Sequence, residues 1–352
     1  MDRAALERAV AAWREANDDA SARALHEAAE PRSQELIRRL NRAPGGAREL
    51  VAMRADLLAA MADSPALAGI DADFRHLFGS WFNRGFLELR RIDWSSPAAV
   101  LEKIIAYEAV HEIHGWGDLR RRVAAPDRRL YAFFHPAMAD EPLIFVEVAL
   151  TQGTPAAIGP ILAEGRPALD AGAADTACFY SISNCHRGLA GVSFGAFLIK
   201  QVVEELRAEL PALKTFVTLS PVPGLRGWAA GAALDAEARA LVDRLSAPGT
   251  GWGEIAEAAA PLSALTARYL LEGKRPRGGP ADAVARFHLG NGARLERVNP
   301  CADASPRGVA QSWGVMVNYL YDLDRIEKNH EAFAETGAVA CAPAVRRLLR
   351  TR

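Results

Sequence analysis

The segment GVSFG at residues 191–195 matches G-x-S-x-G, the strand-to-helix turn that exposes the nucleophilic serine of many hydrolases. In such a turn the strand runs directly into the motif, so that Ser193 would attack an acyl group. Here the last strand-like residue is about Ser183, and the polar segment 184–190 intervenes. Asp235 or Asp282, followed by His288, are candidate triad partners, but the gap argues against a nucleophile elbow.

The glycines of this segment suggest a second chemistry. Gly188, Gly191 and Gly195 lie between a predicted strand and the start of a predicted helix. Glycines let backbone amides approach an anion, and a helix start supplies partial positive charge. The spacing matches neither a Walker A loop nor a dinucleotide fingerprint. The segment therefore indicates either a pyrophosphate-binding loop or a glycine-lined turn that lets a helix pack on a sheet.

Two further candidates follow in the sequence. Ser220 in TLSPVPG comes at the end of a predicted strand, immediately before a proline, which is by itself typical of an ordinary turn. His288 in RFHLGNGA is, taken alone, equally compatible with a structural histidine. His111 and His114 flank Glu112 without the spacing of a metal-binding motif, so no metal site is predicted.

The elements that would position these residues differ between the two parts of the chain. Residues 1–85 carry apolar residues at helical spacing and no convincing strand, which predicts a helical bundle. The segment GFLELRRIDWSSP is predicted to be a linker, with Ser95 or Ser96 as N-cap of a helix over 98–113. Strands are predicted at 130–136, 142–153, 176–183, 214–219 and 315–323, and an amphipathic helix at 194–210.

Composition excludes several classes of protein. The 352 residues suggest two domains, and the formal net charge of -1 argues against nucleic acid or an anionic membrane as partner. No window is apolar enough for a membrane span, and MDRAALERAV does not resemble a signal peptide, so we expect a cytoplasmic protein. The four cysteines form no C-x-x-C pair and are expected to be free thiols. The basic run over 120–129 is predicted to be a solvated helix end.

Several ordered blocks together resemble the malonyl-CoA decarboxylase family. They are FYSISNCHRGLAGVSFGAFLIKQVVEEL, TFVTLSPVPG, RFHLGNGARLERVNP and SPRGVAQSWGVMVNYLYDL, with HPAMADEPLIFVEVALTQG before them. RIDWSSPAAVLEKI and YEAVHEIHGWGDLRRRV extend the resemblance back to about residue 86. So many blocks in one order are more specific than any single motif.

The resemblance implies an α+β protein with two domains. Residues 1–86 would be a helical domain that forms a dimer or tetramer, and residues 87–352 a GNAT-like catalytic domain with a mixed sheet. The glycine segment would bind the pyrophosphate of coenzyme A. Its residues are Ala190, Gly191, Val192, Ser193, Phe194, Gly195 and Ala196. Where animal members of the family carry glutamate, this chain has Ser193.

The resemblance also implies a reaction, with Ser220 and His288 at the catalytic positions and Tyr321 as an active-site tyrosine or a packing residue. Malonyl-CoA would lose CO2 to give acetyl-CoA, with no metal or organic cofactor. Ser220 would orient the malonyl carboxylate or relay a proton, and His288 would protonate the enolate carbon. The alternatives are an acyl-CoA-dependent N-acyltransferase, a serine hydrolase acting through Ser193, and a non-catalytic acyl-CoA-binding protein.

Overall fold

The computed structural model describes residues 2–192, 194, 198–276 and 278–350. The chain forms two compact units. The first consists of Met1–Glu88, Phe134–Leu143 and Cys185–Gly195, and the second of Leu89–Phe133, Ile144–Asn184 and Ala196–Arg352. The first unit is mainly helical and the second contains a mixed sheet, which confirms the predicted α+β class. The boundary between residues 86 and 87 stays a prediction.

Five α-helices are assigned in the described residues of the first unit, where no strand precedes Glu88. They are α1 (Arg3–Ala16), α2 (Asp19–Ala29), α3 (Arg32–Asn41), α4 (Gly46–Ala60) and α5 (Ala68–Trp81). Aspartates begin the first two helices: Asp2 accepts hydrogen bonds from the amides of Ala4 and Ala5, and Asp18 caps α2 in a capping box. The buried apolar side chains Leu50, Val51, Phe74, Leu77 and Phe78 form the core.

The turn at Arg187–Leu189 packs closely on α4. A Cβ atom on Gly188 would lie 1.8 Å from the carbonyl oxygen of Val51, so only glycine fits there. The buried guanidinium of Arg54 donates to the Gly188 carbonyl at 2.6 Å and forms an ion pair with Asp71 at 2.9 Å. Close packing on a helix therefore explains Gly188 without any ligand.

The second unit contains the sheet, and eight strands are assigned in the described residues. They are β1 (Glu88–Ile92), β2 (Arg128–Phe134), β3 (Pro142–Thr151), β4 (Thr176–Asn184), β5 (Thr215–Thr218), β6 (Ser220–Pro221), β7 (Arg294–Asn299) and β8 (Met316–Leu320). Their order is β1-β2-β3-β4-β5-β8-β6, with β7 also paired to β8. β4 and β5 are parallel, whereas β8 is antiparallel to β5, β6 and β7.

Twelve α-helices are assigned in the described part of the second unit. They are α6 (Ala98–Tyr107), α7 (Trp116–Val123), α8 (Gly159–Leu162), α9 (Leu198–Glu209), α10 (Leu225–Gly231), α11 (Ala236–Ser246), α12 (Trp252–Glu257), α13 (Ala259–Glu272), α14 (Ala283–Gly290), α15 (Pro306–Ser312), α16 (Ile326–Thr336) and α17 (Pro343–Arg347). α9 buries Leu198, Val202 and Leu206, as its periodicity predicted. No helix in the described residues has the length and apolar character needed to cross a membrane.

The linker predicted between the two parts is wrong in two respects. Its middle is strand β1, and α6 begins after Pro97, without a serine cap. Ser95 and Ser96 are unavailable as caps because both bond to Asp93: its carboxylate accepts from Ser95, and its amide donates to the Ser96 hydroxyl. β7 was also not predicted, because four of the six residues in RLERVN are polar or charged and they neither alternate regularly with the apolar ones nor leave an apolar run.

The prediction of a solvated basic run is wrong for three of its arginines. Arg122, Arg128 and Arg129 are buried. Arg122 forms ion pairs with Asp118 at 3.1 Å and with Glu147 at 3.4 Å, and Arg129 pairs with Glu209 at 2.7 Å. Burial raises the pKa of Glu147 to about 8 although Arg122 opposes the shift, so this contact becomes a full ion pair only as the pH rises above that value. Glu147 and Glu209 lie 25 and 80 positions from their arginines, so spacing along the chain does not reveal these contacts, whereas Asp127 is adjacent to Arg128.

Gly188→Ala tests the packing explanation. We expect the substitution to lower the free energy of unfolding by about 2 kcal/mol or more, because the new methyl group overlaps a helix carbonyl. Gly79→Ala is the matched control, since Gly79 lies inside α5 and a methyl group added there would have nothing within 4 Å. It should leave stability unchanged or raise it by up to about 1 kcal/mol. Denaturant unfolding of both variants measures the difference, and equal stabilities would contradict the packing explanation.

Candidate active site

Ser220, His288 and Tyr321 lie together in the second unit. Ser220 Oγ is 3.0 Å from His288 Nε2, and His288 Nδ1 is 2.8 Å from the Tyr321 hydroxyl. Ser220 Oγ also donates to Thr218 Oγ1 at 2.9 Å. Each of the three predicted residues is at least 95 % buried, so the hydrogen bonds lie out of bulk water. The structure thus joins residues that are 68 and 33 positions apart in the chain.

Two neighbouring strands position the hydroxyl groups. Side chains two residues apart in extended backbone lie on one side, so Thr218 at the end of β5 meets Ser220 at the start of β6, and Tyr319 of β8 lies on the same side as Tyr321 just after it. Ser220 pairs with Val317 of β8, and the Tyr321 amide donates to the Phe216 carbonyl at 2.8 Å. The short β6 strand therefore places Ser220 against β8 immediately after β5 ends.

Helix α14 supplies the histidine. Asp282 is its N-cap and accepts from the Ala285 amide at 2.9 Å, and His288 lies in its last turn. The Tyr319 ring stacks on the His288 ring, with centroids 4.6 Å apart and an interplanar angle of 23°. The buried Tyr319 hydroxyl has no hydrogen-bond partner among the described residues.

Sequence reasoning missed Thr218 and Tyr319. Both lie two residues from a predicted site residue and on the same side of the extended backbone. The period of two along a strand was therefore a signal that could have identified them once Ser220 and Tyr321 were chosen.

Burial sets the charge state of the site. It lowers the pKa of His288 to about 3, so the imidazole of the free protein is neutral at pH 7. Burial also raises the pKa of Tyr321 and keeps its phenol protonated. One consistent proton arrangement has Tyr321 donating to His288 Nδ1, His288 Nε2–H donating to Ser220, and Ser220 donating to Thr218. The four groups then form a single directed chain.

This arrangement differs from a Ser-His-Asp triad. Both ring nitrogens of His288 bond to hydroxyl groups, and so weakly basic an imidazole is a poor general base for a serine nucleophile. The carboxylates considered as triad partners have other roles: Asp282 caps α14 and Asp235 caps α11. The cluster is better suited to donating hydrogen bonds and moving protons near a negatively charged ligand.

The predicted pyrophosphate segment is described in part. β4 ends at Asn184, so residues 185–190 separate it from Gly191 and no strand runs directly into GVSFG. Ala190 and Gly191 are exposed, and Gly191 has a φ of 71°. The side chains of Val192 and Phe194 are buried. Ser193, Gly195 and Ala196 lie outside the described residues, and anion binding by this segment stays a prediction.

The remaining candidates do not form a recognisable centre. His111 is buried, and His114 Nδ1 lies 3.9 Å from Glu112 on an exposed surface. Among the residues that the structure describes, no group of three or more His, Cys, Asp or Glu side chains is arranged to hold a metal ion. Cys178, Cys301 and Cys341 are free thiols.

Comparison with known proteins gives a consistent result over most of the chain. Residues 1–82 match the model of the malonyl-CoA decarboxylase N-terminal domain, and residues 85–352 match that of the C-terminal domain. The mitochondrial malonyl-CoA decarboxylase of Anser anser anser is 38% identical over 349 residues, which cover 90% of this chain and 69% of that protein. The Rattus norvegicus protein is 37% identical over 332 residues, covering 85% and 67%.

Solved structures agree with the sequence comparison. The malonyl-CoA decarboxylase of Rhodopseudomonas palustris is 56% identical with a TM-score of 0.92, covering 98% of this chain and 86% of that one. The protein from Agrobacterium vitis is 54% identical with a TM-score of 0.91, covering 99% and 87%. The similarity therefore includes both parts of the chain.

The neutral His288 ring predicts a pH dependence of stability. Below about pH 6.5 the unfolded chain protonates this histidine, whereas the folded protein does not until about pH 3, so stability is lost as the pH falls. Between about pH 7.5 and about pH 5 we expect wild type to lose about 2 kcal/mol more than His288→Asn does. Denaturant unfolding of both proteins at each pH gives this difference, in which other titrating groups cancel. Equal losses would show that the ring is not held neutral.

Proposed function

The chain belongs to the malonyl-CoA decarboxylase family, a family of carboxy-lyases, and we propose that it converts malonyl-CoA to acetyl-CoA and CO2 through Ser220, His288 and Tyr321. The observation that supports this assignment of residues is the buried hydrogen-bond chain from Tyr321 through His288 to Ser220. Its groups are uncharged donors and acceptors, which suits a substrate that is itself an anion.

The proposed reaction breaks one carbon–carbon bond. The electron pair of that bond moves to the thioester carbonyl, CO2 leaves, and an enolate remains. A proton from solvent, delivered through the protein, then adds to the enolate carbon to give acetyl-CoA. The thioester carbonyl is the electron sink, so the proposal needs no resident metal or organic cofactor. The protein must orient the carboxylate and stabilise the charge that develops on the carbonyl oxygen.

Ser220 is the group proposed to meet the malonyl moiety. Its hydroxyl can donate to the carboxylate or relay a proton, because a hydroxyl both donates and accepts. Thr218 and His288 hold that hydroxyl from two sides, at 2.9 and 3.0 Å. The position of Ser220 Oγ is therefore already fixed, and donation to the carboxylate would require only that its proton turn from Thr218 to the substrate.

The substrate itself changes the acidity of His288. A carboxylate about 4 Å from the ring would stabilise an imidazolium by about 4 kcal/mol at an effective dielectric constant of about 20, or about 3 pKa units. Because burial holds the pKa at about 3 in the free protein, bound malonyl-CoA would raise it towards neutrality. We therefore propose that His288 takes up its proton with the substrate and passes it on after CO2 leaves.

Three further assignments complete the proposal. Tyr321 orients the His288 ring through Nδ1. Residues 190–196 bind the pyrophosphate of the acyl-CoA, and Ser193 belongs to that segment and not to a triad. The helical part of the chain forms a homodimer or homotetramer in the cytoplasm. The pyrophosphate-binding segment and the oligomer follow from the family resemblance, whereas the cytoplasmic location follows from the composition and the N-terminal sequence.

Incubation of the folded protein with malonyl-CoA, with CO2 and acetyl-CoA followed together, tests the reaction. Equimolar formation of both products supports the proposal, and no turnover overturns it. Transfer of an acyl group to an added amine without release of CO2 would instead indicate an N-acyltransferase.

Alanine substitutions of Ser220 and Ser193 should have different effects on kcat and KM. Ser220→Ala should lower kcat by about 100-fold or more, because a group positioned at the reacting atoms is lost. Ser193→Ala should leave kcat within about 3-fold and act mainly on KM for malonyl-CoA. Steady-state kinetics of both variants distinguish the roles, since the reverse pattern would favour hydrolase-type chemistry at Ser193.

His288→Asn should lower kcat more than it changes KM, because proton delivery follows substrate binding. Steady-state kinetics measure both constants.

The proposed coupling of protonation to substrate binding predicts a second, calorimetric result. Calorimetric titration with a non-decarboxylating malonyl-CoA analogue, in two buffers of different ionisation enthalpy, should show proton uptake that grows from about 0.1 per site at pH 7 to about 0.9 at pH 5, as expected when the pKa rises from about 3 to about 6. The asparagine variant should bind without that uptake. Equal proton uptake by both proteins would remove His288 from the proton path.

A further inference from the structure

Ser220 and His288 come from distant parts of the chain, and a hydrogen bond of 3.0 Å joins their side chains. Something else must hold helix α14 against the turn that follows Ser220. Resting on the proposed function, we propose that Asp282 is the positioning residue of the Ser220–His288 pair. Its carboxylate would fix the start of helix α14, which carries His288, relative to the turn that follows Ser220.

The contacts of Asp282 join three elements of the second unit. One carboxylate oxygen accepts from the Ala285 amide of α14 at 2.9 Å. The other accepts from the Gly224 amide at 3.3 Å and from the Tyr269 hydroxyl of α13 at 3.4 Å. Asp282 is 2 % exposed, so water does not compete for these contacts.

Both connections to the active site are short and stiff. The helix rises about 1.5 Å per residue, so His288 lies about 9 Å from Asp282 along a single rigid element. Gly224 follows Ser220 by four residues, and Pro221 and Pro223 restrict the backbone between them. A displacement at Asp282 is therefore transmitted to the hydrogen bond between Ser220 and His288.

The turn that contains Gly224 must approach Tyr269 and Asp282 closely. A Cβ atom on Gly224 would lie 2.2 Å from the Tyr269 hydroxyl and 3.4 Å from the Asp282 carboxylate. The Trp228 ring packs on Tyr269 at a centroid distance of 5.0 Å, which holds that hydroxyl in place. Glycine is thus the residue that lets the amide reach the carboxylate.

A helix cap alone would not need a buried carboxylate. Asp235 caps α11 by the same contact, at 2.9 Å to Ala238, while its side chain is 65% exposed. Burial raises the pKa of Asp282 and is unfavourable for its charge, whereas the amides of Ala285 and Gly224 oppose that shift. The buried position is explained by the additional bonds to Gly224 and Tyr269.

Asp282→Asn distinguishes the N-cap contact with Ala285 from the additional contacts with Gly224 and Tyr269. Asparagine is as good an N-cap as aspartate, but it has only one acceptor oxygen, so its amide group meets the Gly224 N–H as donor against donor. We expect kcat for malonyl-CoA to fall by about 10- to 100-fold while KM changes by less than about 2-fold. Asp235→Asn, the matched exposed cap, should leave both constants unchanged. A wild-type kcat for Asp282→Asn, or equal effects at both caps, overturns the proposal.

Nitrogen-15 NMR of histidine-labelled protein provides a readout that does not depend on turnover. The ring-nitrogen resonances of His288 in Asp282→Asn should move in the direction seen in Ser220→Ala, where the bond to Ser220 is absent. If wild type does not decarboxylate malonyl-CoA, the proposed function fails. The positioning role is then still tested by the His288 resonances of Asp282→Asn, because shifted resonances support it and unchanged resonances contradict it. If Asp282→Asn does not fold, Tyr269→Phe decides: unchanged kcat and ring resonances there overturn the proposal, and a reduced kcat with shifted resonances supports it.

Discussion

The candidate site depends on the burial of an imidazole ring without a carboxylate beside it. Desolvation lowers the pKa of His288 to about 3, and its two nitrogens bond to the hydroxyls of Ser220 and Tyr321. In a Ser-His-Asp triad the aspartate stabilises the imidazolium and makes the ring a usable base near pH 7. Here the free protein has no such base, which argues against nucleophilic acyl transfer by Ser220. An anionic ligand can raise the proton affinity that burial lowers.

The strands and the helix around the site hold Ser220, His288 and Tyr321 in these positions. β8 pairs with β5, β6 and β7, so the strand that presents Tyr319 and Tyr321 is held from several sides. Ser220 lies where the chain passes from β5 to β6, and His288 in the last turn of α14, whose first turn Asp282 caps. Rigid strands and a capped helix position side chains more accurately than loops do. The hydrogen bonds of 2.8–3.0 Å among four side chains are consistent with such a frame.

Periodicity predicted the elements with long apolar patterns and failed where polar residues were buried or paired. β3 and α9 were evident because their apolar residues are continuous or regularly spaced, whereas β1 and β7 contain two arginines each and resembled surface segments. Gly188 suggested a ligand, yet its immediate neighbour is the Val51 carbonyl, a contact that spacing cannot reveal. The candidate site shows the same limit more strongly. Ser220, His288 and Tyr321 were selected by family resemblance, since nothing in their spacing joins positions so far apart. Local patterns predict elements, whereas contacts between distant elements determine which side chains meet.

The tyrosine that bonds His288 Nδ1, Tyr321, fits an anionic substrate better than a carboxylate would. A carboxylate in place of Tyr321 would orient His288 equally well and raise its pKa in the free protein. It would also place a fixed negative charge near the proposed malonyl carboxylate, and two like charges about 4 Å apart repel by about 4 kcal/mol at an effective dielectric constant of about 20. That repulsion corresponds to about 1,000-fold in binding. A protonated phenol orients the ring without this loss, so in the proposed mechanism His288 would acquire its proton together with the substrate charge that stabilises it.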